Sequence, residues 1–153
     1  MTGVKDDLPD HILALLGHVM DGFRRDLHAT IQEGQGRQAV LRGLRSSQLR
    51  LLSMTPAEGM RVTDLAERVG MTKQALGEFA NDLEARGLLE TVRDPADKRV
   101  RILRPTRRGL KAVDAGEALI TGLEREWRGR VGARNWDQLR ALLPEAAATG
   151  PTP

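Results

Sequence analysis

Apolar residues recur at steps of three and four over Ile12, Leu15, Leu16, Val19, Phe23, Leu27 and Ile31, which marks one face of a helix. A helix from Leu8 to Ile31 accounts for the pattern, with Pro9 suited to its first turn and Glu33-Gly34-Gln35-Gly36 as its break. Gln38 to Leu44 is ambiguous. Ser46-Ser47 offers a cap for a short helix carrying Leu49, Leu51, Leu52 and Met54. A turn over 55–59 leads into Met60-Arg61-Val62, a very short strand.

Thr63 is the expected cap of a second short helix, Asp64 to Val69, closed by Gly70. Thr72 caps a longer one, Lys73 to Arg86, whose inner face is Leu76, Phe79, Ala80 and Leu83 and which Gly87 ends. Two capped helices joined by Gly70-Met71-Thr72 read as helix-turn-helix. Strands over 88–93 and 99–104 follow, separated by the polar tip Asp94-Pro95-Ala96-Asp97-Lys98. A basic hairpin directly after a helix-turn-helix is a winged-helix arrangement. Pro105 removes a backbone donor at the strand end, so fraying is expected there. Thr106 caps a long helix with an apolar stripe from Leu110 to Val131. Gly132 and Asn135 interrupt it, and a last helix holds Trp136, Leu139, Leu142 and Leu143. The expected fold is mainly α with a small β-hairpin wing.

The 153 residues are 40% apolar and 29% charged, which describes a soluble globular chain long enough to bury a core. No run of 18 apolar residues occurs, so no membrane contact through a spanning helix is expected. Asp6 and Asp7 argue against a secretory leader. Without cysteine, disulfides, Cys-based zinc sites and thiol redox chemistry are excluded, and a cytoplasmic setting is expected. No nucleophile elbow, P-loop or dinucleotide fingerprint is present, so neither enzyme activity nor a cofactor is expected. His11, His18 and His28 share the first helix, but two imidazoles on one face without a His-Glu cluster do not make a metal site.

The net charge of +3 says little, and a compositional bias toward arginine explains the basic residues as well as phosphate binding does. Their distribution says more. Between Val92 and Lys111 eight basic residues face only Asp94 and Asp97, a local +6. A stripe of that kind suits a polyanion, and a solvated arginine-rich loop is the competing reading.

The chain resembles the MarR family of winged-helix regulators. The resemblance is carried by Val62 to Arg68, Met71 to Leu76, Leu83 to Leu89, the wing Asp94-Pro95-Ala96-Asp97-Lys98-Arg99, and Thr106 to Gly109. It implies a homodimer whose first and last two helices form the interface, two lobes on one duplex, and release by a small organic effector. Domains are accordingly expected at 1–36 (dimerisation), 37–105 (DNA-binding lobe), 106–148 (dimerisation) and 149–153 (disordered tail). The expected dimer residues are Ile12, Leu16, Val19, Leu119, Leu123, Trp127, Trp136 and Leu139.

On the recognition helix, Thr72, Lys73, Gln74, Ala75, Gly77, Glu78 and Asn81 are the expected DNA-facing positions, and Asp82 also falls outward. Gln74 and Asn81 suit adenine, and Glu78 can accept from cytosine, although a solvated or ion-paired carboxylate is the weightier reading. Lys73 and Arg86 stand against Glu78, Asp82 and Glu84, an acidic balance unusual for the family. On the wing, Arg99 resembles the family's minor-groove arginine and Asp97 the acid that orients it; a turn-stabilising pair is the alternative. Arg93, Lys98 and Arg101 would meet flanking phosphates, as would Ser47, Arg61 and Thr63. His18, Arg50 and Trp127 are candidate effector contacts. Gly109, Gly116, Gly122 and Gly129 lie roughly on one side of the long helix, which suggests close crossing in the dimer or mere drift on a solvated face.

The partner expected is double-stranded DNA with a pseudo-palindromic operator. The alternatives are a winged helix used for protein contact and an architectural duplex binder without sequence preference.

Overall fold

The computed structural model describes residues 9–148. The expected tail 149–153, Asp6, Asp7 and the expected helix start at Leu8 lie outside them. The elements are α1 (Ile12–Glu33), a 3-10 turn (Gly36–Leu41), α2 (Ser46–Met54), β1 (Met60–Arg61), α3 (Val62–Val69) and α4 (Lys73–Ala85). They continue with β2 (Leu89–Arg93), β3 (Arg101–Pro105), α5 (Arg107–Val131) and α6 (Ala133–Ala148). The fold is mainly α with a three-stranded antiparallel sheet, in the order β1-β3-β2.

Several element starts differ from the sequence reading. Pro9 lies outside α1, because the Nδ1 of His11 accepts the Ala14 N–H at 3.1 Å and caps the helix there. Ser46 and Ser47 fall inside α2 rather than capping it; Arg45 is the cap, its N–H bound by the Gln48 amide oxygen at 2.9 Å. Thr63 is likewise inside α3, whose cap is Arg61. Arg61 pairs with Ile102 in the sheet, so the chain passes from strand to helix at Val62. Gly132 alone makes the break before α6, at φ +96°, and Asn135 belongs to α6.

Thr72 and Thr106 cap as expected, accepting the Ala75 and Gly109 N–H groups at 3.1 and 3.0 Å. Gly70 and Gly87 close α3 and α4 in the left-handed region, at φ +69° and +68°. The next residue then turns back: Met71 donates to the Ala66 carbonyl and Leu88 to the Leu83 carbonyl, each at 2.9 Å.

Pro105 does not fray the sheet. It ends the central strand, opposite Leu89, and is buried, while the Thr106 N–H donates to the Leu88 carbonyl at 3.0 Å.

The chain forms two compact units, one up to Leu119 and one from Ile120, with α5 running from the first into the second. The first unit holds a leucine core that includes Leu41, Leu44, Leu52, Leu65, Leu76 and Leu103, each 1% exposed or less. At about 1.5–3 kcal/mol per buried side chain, this packing outweighs any single cap in holding the lobe. The second unit is the hairpin of the end of α5 with α6. Trp127 and Trp136 meet edge to face in it, with centroids 6.3 Å apart.

Candidate nucleic-acid interface

Two surfaces of the first unit bear on nucleic-acid binding: the outer side of α4 and the β2–β3 wing. The inner face of α4 is Leu76, Ala80 and Leu83, all buried. Thr72, Lys73, Gln74, Glu78 and Asn81 are exposed, and Ala75 and Gly77 are half-buried.

Asp82 is a correction to the sequence reading. Its Oδ2 accepts from the Nε2 of Gln48, a residue of α2 only 1% exposed, and from Arg86 Nε at 3.2 Å. Glu84 accepts the Thr91 hydroxyl at 2.5 Å and lies 4.0 Å from the Arg101 guanidinium. Two of the three carboxylates of α4 are therefore tied to the lobe itself. The acidity of the helix is mostly an internal matter, and Glu78 is the acid left on the outer side. Gln48 escaped the sequence reading, although its signal was present: it sits at helical spacing from Leu51 and Leu52, a polar residue on an apolar face.

In the wing, Leu89 to Arg93 pair with Pro105 to Arg101. The tip is built from side-chain turns. Asp94 Oδ1 accepts the Ala96 N–H at 2.9 Å, and Asp97 Oδ1 accepts the Arg99 N–H at 3.0 Å. Asp97 thus acts on the backbone of Arg99 and not on its guanidinium, which makes no hydrogen bond or ion pair among the described residues. The other oxygen of Asp94 binds Arg61 at 3.1 Å. The Ala96 N–H first, and Arg61 after it, hold the Asp94 carboxyl below the usual carboxylate range.

The basic stripe is sorted in the same way. Arg101 is committed to Glu84 and Thr91, Arg104 to Glu90 at 2.8 Å, and Arg61, expected on phosphate, to Asp94. Arg93, Lys98, Arg99, Arg107, Arg108 and Lys111 are exposed without an ion pair among the described residues. Of the remaining phosphate candidates, Thr63 is exposed and Ser47 half-buried.

Outside the lobe's polar surface, Ile12, Leu16 and Val19 of α1 are 70%, 44% and 42% exposed, and Leu139 of α6 is 40% exposed. Leu119 and Leu123, expected on a dimer surface, are instead buried within the single chain. Trp127 and Trp136 are half-buried against each other, and the Arg130 guanidinium lies 5.0 Å from the Trp127 ring centre. His18 and Arg50 are exposed. A shallow cavity of about 420 Å³ lies at the end of α1, lined by Thr30, Glu33, Gly34, Gln35, Arg37 and Gln38, and none of the three expected effector contacts lines it.

Two of the four glycines of α5 have a packing reason inside the first unit. A Cβ on Gly109 would lie 2.0 Å from the Leu88 carbonyl oxygen, and one on Gly116 2.7 Å from a Leu49 methyl. Nothing lies within 4 Å of a Cβ on Gly122 or Gly129. Close crossing with a second chain is thus unnecessary to explain the first two.

Residues 42–100 match the model of the MarR family. The fold is similar to the PcaV transcriptional regulator of Streptomyces coelicolor, solved with its natural ligand: 27% identity over 97% of this chain and 99% of that one, TM-score 0.71. It is similar to the transcriptional repressor CouR bound to a 23-mer DNA duplex, at 24% identity, 90% and 93% coverage and TM-score 0.72. The reduced form of MarR from E. coli matches at 18% identity, 90% and 97% coverage and TM-score 0.78. No match was found among curated proteins.

Proposed function

We propose that the chain is a DNA-binding transcriptional regulator of the MarR family, whose model residues 42–100 match, and that it acts as a homodimeric, sequence-specific repressor released by a small organic effector. The DNA part is carried by one observation, the sorting of charge on the lobe. Asp82, Glu84, Glu90 and Asp94 each have a cationic partner within it, while Arg93, Lys98 and Arg99 stand exposed on the wing. In this reading α4 enters a major groove and Arg99 the flanking minor groove, where it responds to groove width. Thr72 and the first N–H groups of α4 meet a phosphate.

Dimerisation is supported by apolar surface without cover in one chain. Leu13 of α1 is 74% exposed and Leu142 of α6 58%, beside the exposed residues already named. Such surface marks an interface more often than a solvated face. A second copy of the chain covers it in this proposal, with residues 1–36 and 106–148 serving dimerisation and 37–105 the duplex. The effector rests on likeness to PcaV, which holds its natural ligand; His18, Arg50 and Trp127 are the contacts to examine. Use of the lobe for protein docking loses its main support, since Asp82 and Glu84 are paired within the lobe.

Selection from a random duplex pool at near-physiological salt, followed by sequencing, tests the proposal. An enriched inverted repeat is the expected result. Retention without enrichment would replace it with architectural binding, and no retention even at low salt would overturn DNA binding.

A further inference from the structure

Beyond Lys73 at its start, the polar residues of α4 fall into two sets. Asp82 and Glu84, with the C-capping Arg86, are occupied by partners in the lobe. Gln74, Glu78 and Asn81 follow one another at steps of four and three, on the side opposite Leu76, Ala80 and Leu83. All three are exposed, and none makes a side-chain hydrogen bond or ion pair among the described residues.

The chemistry of that ridge is selective. A glutamine or asparagine amide matches the adjacent acceptor and donor of adenine, N7 and N6. A carboxylate only accepts. The donors at the floor of a major groove are the exocyclic amino groups, adenine N6 and cytosine N4. At adenine the neighbouring N7 lone pair repels the second carboxylate oxygen, whereas cytosine places a C–H there. Against guanine the carboxylate meets two acceptors and stays unpaired, which is costly once water is excluded. The ridge carries no arginine to pair with guanine.

Gly77 fits the same picture. Nothing in the chain lies within 4 Å of a Cβ built on it, so internal packing does not require a glycine. Its position beside the ridge lets the backbone approach a base edge closely, and a side chain as short as glutamate needs that approach.

We infer that Glu78 is a specificity-determining residue that accepts a hydrogen bond from a cytosine N4 amino group in each half-site, with Gln74 and Asn81 reading neighbouring adenines. This rests on the reading of the chain as a sequence-specific DNA regulator.

The test repeats the duplex selection with the full-length protein and with its Glu78→Ala and Glu78→Gln variants, thermal unfolding serving as the check of fold. The wild-type repeat should hold a C·G pair at one fixed position of each half-site. Glu78→Ala should lose that preference alone, by roughly tenfold in relative affinity, and Glu78→Gln should shift it from cytosine to adenine. An enriched repeat whose base preferences are unchanged in Glu78→Ala overturns the assignment of Glu78 and leaves the regulator reading intact. A wild-type pool without any enriched repeat overturns both.

Discussion

The backbone nitrogen of Arg99 donates to Asp97 Oδ1 across 3.0 Å, so the acid of the wing shapes the turn that presents the arginine and leaves the guanidinium unpaired. The turn needs an oxygen at that position and no charge. Asp97→Asn should therefore bind duplex at least as well as the wild type, and Asp97→Ala more weakly. Arg99→Ala should weaken binding to all sequences and lower the salt slope by about one per lobe. Titrations at three salt concentrations check this. Equal losses in Asp97→Asn and Asp97→Ala would show that the carboxylate charge holds the guanidinium after all.

Local features of this fold were legible because they depend on neighbours in the chain. Thr72 and Thr106 cap, Gly70 and Gly87 close helices, and the wing lies where alternation put it. The start of α3 shows the limit even there: Thr63 has the chemistry of a cap, but pairing of Arg61 with the third strand sets the helix start at Val62. What spacing does not reveal is which charge finds which partner. Gln48 and Asp82 are 34 residues apart, and Arg61 and Asp94 are 33 apart. Those pairings decide that Asp82 faces the lobe and that Arg61 is committed, both opposite to the outward roles their positions suggested. The burial of Leu119 and Leu123 is of the same kind, since an apolar stripe does not say which part of it the chain's own core will take.

The glycines of α5 should separate by position. Gly109→Ala drives a Cβ onto a backbone carbonyl that cannot yield cheaply, and should destabilise the protein severely. Gly116→Ala meets a leucine methyl, which can give, and should cost less. Gly122→Ala and Gly129→Ala meet open space and should stabilise by up to about 1 kcal/mol each, the usual helix-interior gain. Denaturant unfolding at fixed protein concentration measures all four. A loss of dimer stability in Gly122→Ala would instead reveal a second chain crossing there.

Gln48 joins the N–H of Arg45 to the carboxylate of Asp82 from a fully buried position. Gln48→Leu keeps the volume but leaves the Arg45 N–H without its partner and Asp82 with Arg86 alone. It should cost about 1–3 kcal/mol, seen as a lower denaturant midpoint at an unchanged slope. Asp82→Asn removes a charge that faces the lobe and should leave duplex affinity nearly unchanged. A tenfold gain in affinity would place Asp82 against phosphates.

Acid should open the α5–α6 hairpin. Arg128 grips Asp137 with two hydrogen bonds, at 2.9 and 2.8 Å, and Arg140 and then Trp136 bind Glu124, the indole at 3.1 Å. Those contacts hold both carboxyls below their ordinary range. A carboxyl lowered by folding adds stability above its unfolded value, and that stability is lost as pH falls through the folded one. The loss should therefore begin below about pH 4 and grow with further acid. Trp127 and Trp136 are the two tryptophans of the chain and both sit in this hairpin, so intrinsic fluorescence reports on it directly. The expected result is an acid transition in emission that Asp137→Asn flattens, because that variant lacks the Arg128 ion pair at every pH. An acid profile identical in Asp137→Asn would show that the pair contributes nothing to closing the hairpin.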